Sequence, residues 1–369
     1  MSHSYNRPTN TTTFSACAKL LLVFSIVTAS LASVADTQSP LAVQSRVHFN
    51  TNVSNFEVAR AFYGQLGFET LSGFPDTNTL EMAAAIGIET PTEYDGSKGA
   101  EAGGYLLHGE LIGLGFNKGV IDLIEFSIPR NESPPYSALN HLGMARAVLN
   151  SSNVQADYNA LSDLGVTFLS PPVTRSNGEQ FVVFKDPDGT FYEIRQRPGE
   201  VDDDAPTHIH SVGAVSINVS DFERSANWYG RLGFELTAQL SATETLEVAQ
   251  AMGFSQPFTI RGGVFTHRID GTQLELVEWI TPYDATPPYP APINHLGIHR
   301  IAFSTTDIEG DVAKLRAAGV EFISDITPCC SGNDSWGGIV AFYDPDGTIV
   351  ELVEQPLMTI MAWFMRLFS

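Results

Sequence analysis

Asn52-Val53-Ser54-Asn55-Phe56-Glu57, followed by Phe62-Tyr63-Gly64 and Leu66-Gly67-Phe68-Glu69, is the stretch that decides the fold. It returns in the second half of the chain as Asn218-Val219-Ser220-Asp221-Phe222-Glu223, then Trp228-Tyr229-Gly230 and Leu232-Gly233-Phe234-Glu235. Self-similarity at a fixed spacing is the sequence signature of repeated structural units. The chain therefore contains two related copies.

Each copy divides again into two similar halves. The second halves contain predicted amphipathic helices at 154–168 and 308–322, each closed by a glycine that favours a helix C-terminus. Both second halves also contain Asp-Pro-Asp-Gly, at 186–189 and 344–347, between strand-like runs. Pro and Gly in this order predict a tight turn, and hence a β-hairpin. The pattern βαβββ is thus predicted four times.

Charge and cysteine content exclude several classes of function. The formal net charge of the 369-residue chain is −22, which repels nucleic acid and anionic membrane surfaces. The chain has 3 cysteines, and none stands in a Cys-x-x-Cys or Cys/His spacing that would predict a structural zinc site. Because of the charge we expect no nucleic-acid partner, and because of the cysteine spacing we expect no structural zinc site.

The two ends of the chain are apolar. Arg7 and Lys19 precede an apolar run from Leu20 to Leu31, and Ser33-Val34-Ala35 offers the small residues that a signal peptidase requires. Residues 1–35 are therefore predicted to be a signal peptide of an exported protein, with a disordered tail beside a short helix as the alternative. Residues 357–369 are too short to span a bilayer. They are expected to pack on the domains or in a homo-oligomer interface, or else to contact a membrane surface.

The repeated x-Val-Ser-Asn/Asp strand, the helix ending in Leu-Gly-Phe and the Asp-Pro-Asp-Gly hairpin resemble the vicinal-oxygen-chelate superfamily of glyoxalases, bleomycin resistance proteins and extradiol dioxygenases. The resemblance implies an α+β fold of tandem glyoxalase-like domains. In each domain two βαβββ modules would form one cupped, barrel-like sheet. We predict the domains at 46–197 and 210–356, joined by a linker at 198–209.

The resemblance also implies four ligand positions in each cup, on the first and last strands of both modules. Carboxylates and imidazoles at such positions hold a divalent metal that polarises substrate oxygens. In the first domain these positions fall on His48, Asp122, Arg146 and Glu193. His48, Asp122 and Glu193 are the candidate metal ligands, and Glu193 is also a candidate catalytic base.

In the second domain the four positions fall on Ala214, Glu275, Arg300 and Glu351. Alanine provides no ligand, and a permanently charged arginine repels a metal. We therefore expect Arg300 to pair with Glu275 or Glu351 in place of a metal. Arg146, Arg300, Glu275 and Glu351 are assigned as substrate-binding or metal-replacing residues. The absence of both histidines from this domain disfavours an extradiol dioxygenase.

Two functions are compatible with the sequence. The first is a glyoxalase-like lyase or isomerase that acts on a small oxygenated organic compound, with a divalent metal in the first domain. The second is a non-catalytic protein that sequesters a small organic ligand. Metal content of the purified protein discriminates between them, because only the first requires a near-stoichiometric cation.

The N-terminal prediction can be tested directly. Cleavage after Ala35 would make Asp36 the first residue of the exported protein. N-terminal sequencing of protein from the extracytoplasmic fraction should read Asp-Thr-Gln. Cytosolic protein that retains Leu20 to Leu31 would contradict export.

Overall fold

The computed structural model describes residues 40–73, 79–99, 101–115, 117–200, 208–328 and 338–354. The predicted signal peptide, the C-terminal apolar segment and most of the predicted linker lie outside the described residues. None of the described helices is long and apolar enough to cross a lipid bilayer.

The first copy contains two βαβββ modules, as predicted. Module 1 consists of β1 (Val43–Asn52), α1 (Phe56–Gln65), β2 (Glu69–Gly73), α2 (Leu80–Ala85), a 3₁₀ turn (Ser97–Gly99), β3 (Leu106–Gly113) and β4 (Val120–Ile128). Module 2 consists of β5 (Gly143–Ser151), α3 (Val154–Asp163), β6 (Val173–Thr174), β7 (Gln180–Lys185) and β8 (Phe191–Gln196).

The second copy repeats this order. Module 3 consists of β9 (Ile209–Asn218), α4 (Phe222–Arg231), β10 (Phe234–Gln239), α5 (Leu246–Ala251), β11 (Thr259–His267) and β12 (Gln273–Thr281). Module 4 consists of β13 (Arg300–Thr305), α6 (Ile308–Ala317), β14 (Thr327–Pro328), β15 (Gly338–Tyr343) and β16 (Ile349–Glu354).

The repeated motifs mark the ends of helices and hairpins. Asn55 and Asp221 are the N-caps of α1 and α4, where their side chains accept hydrogen bonds from the backbone N–H three residues on. The predicted glycines after α3 and α6 have φ of 85° at Gly165 and 78° at Gly319, values that favour glycine. Strands β7 and β8 pair antiparallel across Asp-Pro-Asp-Gly, as do β15 and β16, which confirms both predicted hairpins.

The strands form two curled half-barrel sheets, each of 8 strands. One sheet has the order β14-β15-β16-β13-β1-β4-β3-β2 and therefore joins modules 1 and 4, which we call cup 1/4. The other has the order β10-β11-β12-β9-β5-β8-β7-β6 and joins modules 2 and 3, which we call cup 2/3. Two modules per cup agree with the predicted fold class.

The prediction that each copy closes its own cup, within 46–197 and within 210–356, is wrong. The free edge of β1 pairs antiparallel with β13 of the other copy, and β5 pairs in the same way with β9. Within a copy, module 1 meets module 2 through α1 instead, where the Tyr63 hydroxyl donates to Asp186 at 3.1 Å and lies 2.9 Å from the Tyr192 hydroxyl. Because module 2 packs on the helical side of module 1, its first strand cannot also reach the edge of β1.

Two buried asparagines reinforce the pairing between copies. The Asn52 side chain, at the end of β1, donates to the carbonyls of Ile293 and His295, just before module 4 begins. Asn218, at the end of β9, donates to the carbonyls of Leu139 at 2.7 Å and His141 at 2.6 Å, just before module 2. The repeated Asn-His-Leu-Gly segments therefore form the turns that enter modules 2 and 4.

Both faces of the central strands are buried. Along β8, Tyr192 and Ile194 enter the main core, which also contains the buried faces of α1, α3, α4 and α6. Phe191 faces the opposite side, in a separate apolar cluster with Phe258 and Trp279 inside cup 2/3. Because strand side chains alternate between faces, Glu193 and Arg195 face the cup together with Phe191.

A disulfide can test the pairing of β1 with β13. Ser45 and Ser304 are register partners whose hydroxyl oxygens lie 2.6 Å apart, so cysteines at both positions meet the geometry of a disulfide. We expect Ser45→Cys/Ser304→Cys, in a Cys329→Ser/Cys330→Ser background, to crosslink on oxidation. Peptide mass spectrometry should detect the bond.

The matched control is Ser45→Cys/Asn150→Cys. Asn150 holds the position in module 2 that Ser304 holds in module 4, but it pairs with Ser211. This double variant should remain reduced. If it crosslinks and Ser45→Cys/Ser304→Cys does not, each copy closes its own cup.

Candidate functional site

The four central strands of cup 1/4 bring His48, Asp122, Arg300 and Glu351 together. The guanidinium of Arg300 donates to Asp122 Oδ2 and lies 3.0 Å from Glu351 Oε2, so it bridges the two carboxylates. His48 Nε2 is 3.6 Å from Asp122 Oδ2 and 3.9 Å from Glu351 Oε1. Neither ring nitrogen of His48 has a hydrogen-bond partner among the described residues. Among the described residues, this set is one of two buried charged clusters that lie in the cups.

Burial dominates the ionisation of cup 1/4. It raises the pKa of Asp122 to about 7, an effect that Arg300 opposes and Glu351 reinforces. Burial also raises the pKa of Glu351, again against the influence of Arg300. Burial and, secondarily, Arg300 lower the pKa of His48 to about 3, so this imidazole is neutral at physiological pH. Since a single guanidinium faces two carboxylates, the cup favours a state in which either Asp122 or Glu351 keeps its proton.

The arrangement of cup 1/4 does not fit a divalent cation. His48, Asp122 and Glu351 carry suitable donor atoms, but the Arg300 guanidinium lies against both carboxylates. A permanent positive charge at this point repels a metal. Within the described ranges, no group of three or more His, Cys, Asp or Glu side chains is placed to hold a metal ion.

Cup 2/3 has the same design with more arginines. Arg146 Nε lies 3.1 Å from Glu193, and its terminal nitrogen donates to Glu275 at 2.8 Å. Arg195 donates to Glu193 at 2.8 Å and lies 2.6 Å from Glu275. Arg175 makes a bidentate contact with Glu193, with both N···O distances 2.9 Å. Arg146 thus lies between two glutamates, just as Arg300 lies between two carboxylates in cup 1/4.

The glutamates of cup 2/3 are held ionised. Burial alone would favour the neutral form of Glu193, but Arg175, Arg195 and Arg146 overcome it and hold the pKa well below its usual range. The pKa of Glu275 is also lowered, because Arg195 and Arg146 outweigh burial and the charge of Glu193. A carboxylate with such a low pKa and so many donors is a weak proton acceptor. Glu193 is therefore poorly suited to the predicted role of catalytic base.

The predicted ligand sets are divided between the cups. Glu193 lies in cup 2/3, away from its predicted partners His48 and Asp122, so the proposed His48/Asp122/Glu193 metal site does not form. Arg300 meets Glu351, as expected, but its second partner is Asp122 and not Glu275. Ala214 lies on β9 of cup 2/3, next to Gln273 in register. The predicted ligand sets are divided between the cups because β1 and β5 pair with strands of the other copy.

Two arginines of the site were missed by sequence reasoning. Arg195 follows Glu193 by two residues on one strand, so strand alternation alone would have placed both on the cup face. Arg175 follows the short strand β6, and its guanidinium lies 3.7 Å from the Phe181 ring centroid. Nothing in its local sequence indicates that it reaches Glu193.

Comparison with known proteins supports a single family. Residues 45–194 and 208–352 match the family described as the Glyoxalase/Bleomycin resistance protein/Dioxygenase superfamily. Glyoxalase I from Zea mays has a similar fold, with a TM-score of 0.57 and 18% identity, covering 87% of this chain and 96% of that one. A putative dioxygenase from Bacillus subtilis gives a TM-score of 0.52 and 15% identity, with 86% of each chain covered. A search of curated protein sequences found no match.

Removing Arg300 tests the charge balance of cup 1/4. Arg300→Ala leaves Asp122 and Glu351 buried without a cation, and we expect a loss of about 3–5 kcal/mol in the free energy of unfolding at pH 8. The loss should shrink as the pH falls, because both carboxylates have raised pKa values in the folded state and take up protons. Urea unfolding at pH 5 and pH 8 measures both effects.

A double variant and a surface variant serve as controls for Arg300→Ala. Arg300→Ala/Asp122→Asn should recover part of the loss at pH 8, because only one carboxylate remains. Arg316→Ala removes an arginine whose side chain is 50% exposed and should cost less than about 1 kcal/mol. An Arg300→Ala loss no larger than that of Arg316→Ala would contradict the bridging role.

Proposed function

Because the chain belongs to the Glyoxalase/Bleomycin resistance protein/Dioxygenase superfamily, we propose that it binds a small oxygenated organic ligand in its cups, with guanidinium groups in the place of a divalent metal. We further propose that this activity lies outside the cytosol, as the predicted signal peptide implies. A glutathione-dependent reaction is disfavoured there, since that thiol belongs to reducing compartments.

One observation carries the proposal. In both cups an arginine from a first strand bridges two carboxylates on the last strands, through Arg300 in cup 1/4 and Arg146 in cup 2/3. A guanidinium pairs with both carboxylates and still presents directed N–H donors to ligand oxygens. It cannot act as a Lewis acid with open coordination positions. The arrangement therefore supports ligand binding better than metal-assisted catalysis.

A glyoxalase-like isomerase that works by acid/base chemistry is the second candidate. It is favoured by His48, whose two ring nitrogens have no hydrogen-bond partner among the described residues and whose low pKa keeps it neutral. Asp122, 3.6 Å away, has a pKa near 7 and could exchange a proton at neutral pH. Cup 2/3 has Ala214 at the His48 position, so this chemistry would be confined to cup 1/4.

Metal binding and mass spectrometry test the proposal together. We expect the mature protein, purified without chelators, to contain far less than one equivalent of divalent metal and to show no binding of Zn²⁺ or Mn²⁺ by calorimetry. Native mass spectrometry should detect a co-purifying organic molecule. A stoichiometric metal that is lost in Asp122→Asn would overturn the proposal and favour a metal-dependent enzyme.

A designed gain of metal binding provides the positive control. Arg300→His replaces the repelling charge beside His48, Asp122 and Glu351, so Zn²⁺ should bind at least about tenfold more tightly than to the unmodified protein. Arg146→His is the matched control, because Ala214 leaves cup 2/3 without a second histidine. It should gain less affinity than Arg300→His.

A further inference from the structure

The recess that the described residues form inside cup 2/3 is too small for an organic ligand. Its lining includes Arg146, Arg175 and Glu275 together with Phe258 and Trp279. The cavity volume of the recess is ≈ 40 Å³. One water molecule needs about 10–15 Å³, whereas pockets for small organic ligands measure about 300–1,000 Å³. The recess therefore has room for a few water molecules and for nothing larger.

Large side chains account for the small volume of cup 2/3. Phe181 and Val183 of β7 and Phe191 of β8 join Phe258 and Trp279 of module 3 in one buried apolar cluster. Phe181 and Val183 pair in register with Arg195 and Glu193, so they face the inside of the cup together with the ion pairs. Aromatic rings and ion pairs thus fill the concave side of this sheet.

Smaller side chains stand at the equivalent positions of cup 1/4. The repeated Asp-Pro-Asp-Gly and Pro-Pro-Tyr segments fix the correspondence between the two copies. Ile339 stands for Phe181, Ala341 for Val183, Ile349 for Phe191, Val353 for Arg195 and Phe126 for Trp279. His48 replaces Ala214 in the opposite sense, so an imidazole borders the space that the smaller residues leave.

The apolar lining of cup 1/4 is divided accordingly. Phe126, Ala341 and Ile349 belong to one buried cluster, whereas Ile339 and Val353 belong to another. Apolar side chains that are too small to reach one another leave a gap between them, because each loses contacts on that side. Within the part of the chain that the structure describes, cup 1/4 is therefore less completely filled than cup 2/3.

Several buried polar atoms of cup 1/4 have no hydrogen-bond partner among the described residues. They are both ring nitrogens of His48, Nε of Arg300 and Oδ1 of Asp122. The arginines and glutamates of cup 2/3 are instead paired with one another at distances of 2.6–3.1 Å. Burial of a polar atom without a partner is costly. Cup 1/4 is therefore completed by a molecule that carries hydrogen-bonding groups.

The unpartnered atoms of cup 1/4 include donors and acceptors in equal number. The neutral imidazole of His48 has one N–H and one acceptor nitrogen, Arg300 Nε only donates, and an ionised Asp122 oxygen only accepts. A carboxylate ligand would only accept and an ammonium ligand would only donate, whereas a hydroxyl group does both. One retained proton also leaves Arg300, Asp122 and Glu351 without net charge, which favours an uncharged ligand.

We propose that the small ligand binds in cup 1/4 alone and that it is an uncharged hydroxyl compound, whose hydroxyl groups contact His48, Arg300 and Asp122. Cup 2/3 is then a packed counterpart, whose ion pairs hold modules 2 and 3 together. This inference rests on the proposed function and names the cup and the ligand class.

Three probes of similar shape test the ligand class. Benzyl alcohol, benzylamine and benzoate share a phenyl ring and are uncharged, cationic and anionic, respectively, at neutral pH. Ligand-observed NMR titrations of the purified protein should show benzyl alcohol binding at least about tenfold more tightly than either charged probe. Equal binding of all three probes, or tighter binding of a charged one, would overturn the ligand class.

Filling cup 1/4 tests the location. Val353→Arg copies Arg195, which donates to Glu193 at 2.8 Å inside cup 2/3. Ala341→Val copies Val183 and enlarges a side chain in cup 1/4 without adding charge. Val353→Arg should weaken benzyl alcohol binding at least about tenfold, and Ala341→Val should weaken it by a smaller factor.

Val183→Ala is the matched control, because it makes the reverse change in cup 2/3. It should bind benzyl alcohol as the unmodified protein does, and thermal melting followed by circular dichroism verifies that each variant is folded. Binding that is lost in Val183→Ala but kept in Ala341→Val would place the ligand in cup 2/3 and overturn the inference. The comparison of probes needs no variant, so it decides the ligand class even if one of them does not fold.

Metal analysis of the same samples separates this inference from the proposed function. A metal-free protein that prefers a charged probe, or that binds its probe in cup 2/3, would overturn the inference and leave the proposed function standing. Benzyl alcohol binding that disappears with EDTA and returns with Zn²⁺ would overturn the proposed function. A metal-free protein that binds none of the probes, and that carries no organic molecule in native mass spectrometry, would overturn both.

Discussion

The antiparallel pairing of first strands between copies is the constraint on which the rest of the structure depends. In each module the first strand pairs parallel with the last strand, as β1 does with β4 and β13 with β16. Its other edge then pairs with the first strand of a module from the other copy. Four strands that carry polar side chains on one face thereby become neighbours. Both sites exist because of this arrangement.

The two cups show how one scaffold can hold two different charge balances. Cup 1/4 has one guanidinium for two carboxylates and a neutral histidine, whereas cup 2/3 has three guanidinium groups for two carboxylates. Buried charges are costly unless they are paired and hydrogen-bonded. The first cup reduces that cost through the raised pKa of Asp122, which favours a retained proton. The second uses additional arginines, which hold Glu193 and Glu275 ionised.

Individual site residues could be predicted more reliably than their groupings. His48, Asp122, Arg300 and Glu351 were each identified from the ligand positions that the family resemblance implies, yet they were assigned to two different sites. Arg146, Glu193 and Glu275 lie together in cup 2/3, but Arg146 and Glu193 were assigned to the first domain and Glu275 to the second. Arg195 could have been predicted to face the cup, because it follows Glu193 by two residues on the same strand. Arg175 could not, because it reaches the site from a turn whose position depends on the folded hairpin.

The sequence by itself determined the local structure: four βαβββ modules, their capping residues and turns, and the strand positions that face a cup. These features depend on contacts within one module, where N-caps such as Asn55 and turns such as Asp-Pro-Asp-Gly act over a few residues. Only the tertiary structure decided which modules share a sheet. The backbone groups along a strand edge are chemically alike, so β1 could pair with β5 or with β13 by hydrogen bonding alone. The packing of α1 on module 2, through Tyr63, Asp186 and Tyr192, leaves β13 as the partner of β1.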